Sequence, residues 1–127
     1  MSVQLNHTIV WCKDKHQSSE FFAEILGLPK PTTFGPFRVI QLENDISLDF
    51  QDTEKEIMRQ HYAFLITEKE FDEIFSRICN KGLEYWADPG QKKLGEINHN
   101  DGGRGVYFKD LDGHFLEIIT RPYGSGG

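Results

Sequence analysis

Apolar and polar residues alternate along the chain in a pattern that divides it into two similar halves. The first half begins with a predicted strand over 5–12, LNHTIVWC, whose side chains alternate between two faces. A helix is predicted next, because Asp14 is typical of an N-cap, apolar residues follow at helical spacing, and Gly27 is typical of a helix end. The half closes with two predicted strands joined by a tight turn, over 37–43 and 46–51.

The second half repeats this order of elements. A strand is predicted over 61–66, and Thr67 with Glu70 forms a capping box at the start of a helix that ends near Gly82. An acidic turn with a glycine then separates the last two predicted strands, over 105–109 and 114–120.

The two halves superpose almost without gaps in their front parts. His7 and His61 lie at matching positions of the first strand of each half, and the helix-ending glycines are separated by nearly the same number of residues. The sequence therefore predicts an α+β fold made of a duplicated βαβββ unit. Its boundaries are about 4–52 for module one and about 60–121 for module two.

Aligning the final turn of each half also pairs two acidic residues. Asp49 of ISLDFQ is then equivalent to Glu117 of HFLEII, and the additional residues of the second half fall in the stretch 88–103. This stretch is rich in glycine and asparagine, and loops carry function more often than the elements they connect. We therefore predict a functional loop there.

Four polar side chains stand at equivalent places on the duplicated sheet: His7, Asp49, His61 and Glu117. Strand parity places each of them among residues that are apolar enough to be buried. Two imidazoles and a carboxylate are a suitable ligand set for an open divalent-metal site. The alternative is structural, since strand histidines are commonly packed and hydrogen-bonded and Asp49 could form a salt bridge.

Length and charge limit the remaining possibilities. The 127 residues fit a single domain, and a net charge of −6 argues against a nucleic-acid partner and favours a small-molecule ligand. Cys12 and Cys79 occur without a CxxC motif or a secretory leader, so we expect reduced thiols in a cytoplasmic protein. No apolar run approaches the roughly 20 residues of a membrane span, so we expect no membrane association.

Paired βαβββ modules, each with a histidine on its first strand and an acidic residue on its last, resemble the vicinal oxygen chelate superfamily. This superfamily includes glyoxalase I, extradiol dioxygenases, fosfomycin-resistance enzymes and bleomycin-binding proteins. The segment GRGVYFKDLDGHFLEIITRP carries most of the resemblance, because it is similar to the superfamily's usual closing motif. The resemblance covers essentially the whole chain and implies a cup-shaped mixed β-sheet with a divalent metal on its floor.

Carried over position by position, the resemblance implies that His7, His61 and Glu117 are metal ligands. Asp49 would be a fourth ligand, or would act through water, because it is one methylene shorter than the glutamate of glyoxalase I. The metal could be Fe, Mn, Ni or Zn, and Glu117 could exchange between ligand and base. Many small members dimerise, so the resemblance also implies a homodimer.

Further side chains are candidates for catalysis or substrate binding, each with a structural alternative. Tyr107 is predicted to point into the cup and to donate a hydrogen bond to a substrate oxygen, unless it only packs in the core. His99, in the predicted loop, could transfer protons or remain solvated. The candidates for substrate contact are an apolar wall residue and two cations that could hold a carboxylate or form surface salt bridges: Trp11, Arg104 and Arg121.

The sequence thus predicts a small metal-dependent enzyme that binds a substrate through two vicinal oxygens. The resemblance allows glyoxalase-like lyase or isomerase chemistry with a redox-inert metal, or extradiol dioxygenase chemistry with Fe(II). One alternative is a non-catalytic resistance protein that sequesters an aromatic or drug-like ligand. Another is a scaffold protein with a vestigial site.

Overall fold

The computed structural model describes residues 2–126, which divide into two compact units, one ending at Met58 and the other beginning at Arg59. The first unit contains four strands and one helix, in the order β1 (His7–Cys12), α1 (Lys15–Leu26), β2 (Thr32–Phe34), β3 (Phe37–Gln41) and β4 (Ser47–Asp52). Its sheet has the strand order β1-β4-β3-β2. β1 runs parallel to β4, and the other pairs are antiparallel.

The second unit repeats this plan. Its strand order is β5-β8-β7-β6, with β5 parallel to β8, so each unit is one βαβββ module with a four-stranded mixed sheet. The predicted α+β class and the tandem modules are confirmed. The elements of this unit are β5 (His61–Leu65), α2 (Glu68–Asn80), β6 (Tyr85–Trp86), a 3₁₀ turn (Asn100–Gly102), β7 (Gly105–Lys109) and β8 (Phe115–Ile119).

Both helices begin at the predicted residues. The Asp14 carboxylate accepts the backbone N–H groups of His16 and Gln17, which are otherwise unpaired at a helix start. Thr67 and Glu70 form the reciprocal capping box. Gly27 ends α1 with a positive φ of 70°, a backbone conformation that glycine adopts without steric cost.

Each unit buries one face of its sheet. In the first unit α1 packs on β3 and β4, and the rings of Phe22 and Phe50 meet edge to face at 4.9 Å. In the second unit the buried side chains of α2 and of the alternate positions of β7 and β8 are Phe71, Ile74, Ile78, Val106, Phe108, Leu116 and Ile118. The predicted polar site residues therefore lie on the opposite face of each sheet.

The prediction that all four polar residues are buried is half right. Asp49 and Glu117 are buried, whereas His7 and His61 are exposed, as is the neighbouring Trp11. The reason is the strand order: β4 and β8 have a neighbouring strand on both sides, whereas β1 and β5 lie at the edges of their sheets. Within the part of the chain that the structure describes, no helix is long and apolar enough to cross a membrane.

Candidate functional site

Three of the predicted residues meet on neighbouring strands of the second unit. Glu117 lies on β8 directly opposite Tyr107 of β7 and diagonally from His61 of β5. His61 Nε2 is 3.0 Å from Glu117 Oε1, and the rings of His61 and Tyr107 are 5.9 Å apart. Same-face side chains on paired strands are close enough to interact in this way, so the register itself assembles the cluster.

Glu117 is the buried centre of this cluster. Its side chain is 7% exposed, whereas that of His61 is 50% exposed, so solvent reaches the pair from the histidine side. Burial, followed by the hydrogen bond with Glu117 and its negative charge, raises the pKa of Tyr107 to about 12. The phenol therefore keeps its proton at neutral pH and lies beside the carboxylate across the strand pair.

The equivalent positions of the first unit have the same register but different contacts. His7 pairs with Ser47 just as His61 pairs with Phe115, which confirms the predicted equivalence of Asp49 and Glu117. Here, however, the shorter Asp49 carboxylate accepts a hydrogen bond from Ser47 Oγ at 3.0 Å. His7 Nδ1 lies 2.7 Å from Asn6 Oδ1. Duplication thus preserved the backbone pairing and changed the side-chain partners.

The chemistry of the His61–Glu117 pair fits a divalent metal. An imidazole nitrogen and a carboxylate oxygen that each lie about 2.1 Å from a metal, at a right angle, are about 3 Å apart. This matches the observed 3.0 Å. Among residues 2–126, no group of three or more histidine, cysteine or acidic side chains is arranged to hold a metal ion. The second unit therefore presents two donor atoms for a metal, Nε2 of His61 and a carboxylate oxygen of Glu117.

An open cleft of about 410 Å³ lies beside the pair. Its walls come from β7, β8, the predicted loop and the segment after β8. The lining residues are Asn98, Asn100, Asp101, Arg104, Tyr107, Glu117, Ile119, Arg121, Tyr123 and Gly124. The volume lies within the range of small-molecule sites.

The two candidate arginines differ in their surroundings. Arg104 forms ion pairs with Glu68 at 2.7 Å and Asp72 at 2.8 Å, and its guanidinium lies 4.3 Å from the ring centre of Phe71. These contacts correspond to the surface salt bridge that was the structural alternative for this residue. Arg121 lines the cleft without an ion pair or a side-chain hydrogen bond to any other residue of the described range 2–126.

The loop between β6 and β7 contributes to two clefts. Asn98 and Asn100 line both the cleft beside Glu117 and a second cleft of about 380 Å³ that contains His99. Asn98 fixes the loop through paired backbone hydrogen bonds with Gly105 and a side-chain bond to the Ala87 carbonyl. His99 thus lies in a neighbouring cleft and is not among the residues lining the one beside Glu117.

A buried histidine anchors the start of β5. His114 is fully buried, and its Nδ1 accepts the backbone N–H of Gln60, the residue before His61, at 2.9 Å. Asp110 in turn accepts the N–H groups of His114 and Asp112. Burial raises the pKa of the Asp110 carboxyl, against the opposing effects of His114 and these donors. The turn before β8 therefore positions the backbone next to His61.

Sequence reasoning missed several residues that build this region. Asp101 accepts the backbone N–H groups of Gly124 and Gly126, and so holds the segment after β8 at the cleft. Tyr123 of that segment lines the cleft with an exposed ring. The signal available in the sequence was weak, because an aspartate in an asparagine-rich and glycine-rich loop and a tyrosine near a glycine-rich end are ordinary surface features.

A family model described as "Glyoxalase/Bleomycin resistance protein/Dioxygenase superfamily" matches residues 4–118 of the chain. Among solved structures, Oxidase ChaP-H2 is 58% identical with a TM-score of 0.97 and 100% coverage of both chains. Oxidase ChaP-H1 is 59% identical with a TM-score of 0.95, over 97% of this chain and 99% of that one. Metallothiol transferase FosB of Shouchella clausii (strain KSM-K16) is 33% identical over 70% of this chain. That match spans about half of FosB, 54% of its length.

Proposed function

Since this chain belongs to the Glyoxalase/Bleomycin resistance protein/Dioxygenase superfamily, we propose that it is a metal-dependent oxidase of a small organic substrate with two vicinal oxygens. The observation that carries the proposal is the buried Glu117 carboxylate, held between His61 and Tyr107 at an open cleft. Identity of 58% and 59% to two proteins named as oxidases, over nearly their whole lengths, favours oxidation over lyase or isomerase chemistry.

In this proposal His61 and Glu117 are metal ligands, and the assignment of His7 as a further imidazole ligand remains a prediction from the sequence. Asp49 is not assigned as a direct ligand, because it is one methylene shorter than Glu117 and its carboxylate is hydrogen-bonded to Ser47 Oγ rather than to a histidine among the described residues. A bound redox-active metal, Fe or Mn among the predicted ions, would supply Lewis acidity toward two vicinal oxygens and electron transfer to dioxygen. The predicted homodimer and cytoplasmic location remain predictions.

Tyr107 and Glu117 have distinct tasks. Tyr107 lies directly opposite Glu117 on the neighbouring strand and stays protonated beside it, while Glu117 contributes carboxylate oxygens as donor atoms for the metal. With its pKa raised to about 12, Tyr107 does not act as a general base near neutral pH. Its proposed role is to donate its single O–H proton in a hydrogen bond to an oxygen atom of a substrate in the cleft.

His61 connects this buried pair to solvent. Half of its side chain is exposed, so its ring is accessible from the cleft side of the sheet while Nε2 faces Glu117. The apolar floor beneath the cluster, formed by the fully buried Leu116 and Ile118, keeps water from the other side of β8. Substrate would therefore approach only across the exposed face of the sheet.

The oxidase proposal is tested by loading the purified protein with Fe(II), Mn(II) or Zn(II) and adding a panel of catechols and hydroxy-ketones. We expect oxygen uptake that matches substrate loss in the Fe(II) or Mn(II) protein and none in the Zn(II) protein. An oxygen electrode and product analysis measure both quantities. Turnover that is equally fast without dioxygen in the Zn(II) protein would instead identify isomerase or lyase chemistry. Ligand binding without any turnover would favour the non-catalytic resistance protein.

A further inference from the structure

The charged residues that line the cleft differ in whether they have a hydrogen-bond or ion-pair partner. Glu117 is paired with His61, Arg104 with two carboxylates of α2, and Asp101 with two backbone N–H groups. Arg121 alone among the charged lining residues lacks a hydrogen-bonded or ion-paired partner within residues 2–126. The cleft therefore presents one cation whose donors are available to a ligand.

The backbone holds Arg121 at the cleft. A Cβ atom at position 103 would lie 2.6 Å from Cγ of Arg121, which is too close for van der Waals contact. The aliphatic part of the Arg121 side chain therefore packs against Gly103, and any larger residue there would force it to move. Strand pairing continues beyond β8, because the Thr120 N–H donates to the Arg104 carbonyl and Thr120 Oγ1 accepts the Arg104 N–H. These contacts fix the backbone of the residue that precedes Arg121.

The spacing along the strand separates the cation from the proposed ligands. Glu117, Ile119 and Arg121 alternate onto the same face and all line the cleft. Glu117 and Arg121 are four residues apart, and the strand itself ends at Ile119, about 7 Å from Glu117 at about 3.3 Å per residue. Ile119 lies between them, and the ring of Tyr123 borders the same space. A ligand that contacts both ends must be elongated, with an apolar middle.

We propose that the substrate is an organic anion whose vicinal oxygens lie at the His61–Glu117 end and whose carboxylate, or another planar anionic group, is bound by Arg121. This inference rests on the proposed function, because it takes the oxygen-binding end from it. A guanidinium presents two parallel N–H donors to a carboxylate, which gives orientation as well as affinity. Arg104 does not compete for this role, since its donors already bind Glu68 and Asp72.

The probes that test this inference are dihydrocaffeate, with a catechol and a carboxylate at opposite ends, and its uncharged amide. Calorimetric titration of the redox-inert Zn(II) protein compares wild type with Arg121→Gln, Arg121→Lys and Lys69→Gln, which removes a positive charge outside the cleft. We expect wild type to bind the anion about tenfold more tightly than the amide. Arg121→Gln should abolish this preference, Arg121→Lys should restore part of it, and Lys69→Gln should leave it unchanged.

The outcomes separate this inference from the proposed function. Equal binding of both probes by wild type, or a preference that survives in Arg121→Gln, would overturn the role of Arg121 while the metal site stands. If the protein retains none of Fe(II), Mn(II), Ni(II) and Zn(II), the proposed function fails, and the same titration of the metal-free protein decides the inference alone. A preference for the anion that depends on Arg121 there would still support the subsite, and its absence would refute it.

Discussion

Glu117→Gln should lower the affinity for a divalent metal by about 100-fold or more while leaving the metal-free protein equally stable or more stable. The amide has nearly the shape of the carboxylate but removes a negative charge that is 7% exposed. A buried charge costs free energy that its partners recover only in part, so its removal need not destabilise the fold. A neutral amide is a much poorer metal ligand than a carboxylate. Substitution of a residue that only supports a ligand already lowers metal affinity by roughly 10- to 100-fold, so loss of the ligand itself should lower it by about 100-fold or more.

Thermal unfolding of the metal-free proteins and competitive titration with a metal chelator measure the two effects. Glu73→Gln, at an exposed position on α2, is the matched control, because it makes the same chemical change outside the site. The control should bind metal as wild type does. If Glu117→Gln destabilised the metal-free protein strongly and left metal affinity intact, Glu117 would be a structural residue.

His114→Leu should destabilise the protein by about 3 kcal/mol and weaken metal binding about tenfold. Leucine fills much of the buried space but cannot accept the Gln60 N–H, which costs roughly 1–3 kcal/mol when a donor loses its partner. The backbone N–H of residue 114 that donates to Asp110 is kept in this variant. Since Gln60 precedes His61, the loss of this anchor loosens the imidazole, and loosened support of a ligand typically weakens a metal site 10- to 100-fold.

His114→Asn separates anchoring from general packing. The asparagine Oδ1 can take the place of Nδ1 and accept the same N–H, although the smaller side chain leaves a cavity. We expect hydrogen exchange of the Gln60 amide to be slow in wild type and His114→Asn and fast in His114→Leu, with metal affinity following the same order. Unchanged protection and affinity in His114→Leu would show that His114 only fills the core.

The repeat and its main elements could be predicted from the sequence because they depend on local signals. Asp14, Thr67 and Gly27 begin or end the helices at the expected positions, since capping is decided within a few residues. β2 and β6 were missed, because three or two residues show no usable alternation. The positions of β1 and β5 at the edges of their sheets were also not predicted, because strand parity gives the face on which a residue lies but not the number of neighbouring strands.

The part of the site that could be predicted from the sequence is the part that the duplication repeats in both halves of the chain. The equivalence of Asp49 and Glu117 followed from the turns and is confirmed by strand register, although only the longer Glu117 meets its histidine. The different surroundings of Arg104 and Arg121 were not predictable. They depend on α2 placing two carboxylates beside Arg104, 32 and 36 residues away along the chain, and no local pattern encodes that approach.

Metal analysis shows directly whether His61 and Glu117 bind a divalent metal. Wild type, His61→Ala and the exposed control His16→Ala would each be loaded with Fe(II), Mn(II), Ni(II) or Zn(II), freed of excess ion and assayed for bound metal. We expect near-stoichiometric metal in wild type and His16→Ala and little in His61→Ala, with folding unchanged. Metal retained by His61→Ala, or none retained by well-folded wild type with any of the four ions, would contradict this expectation.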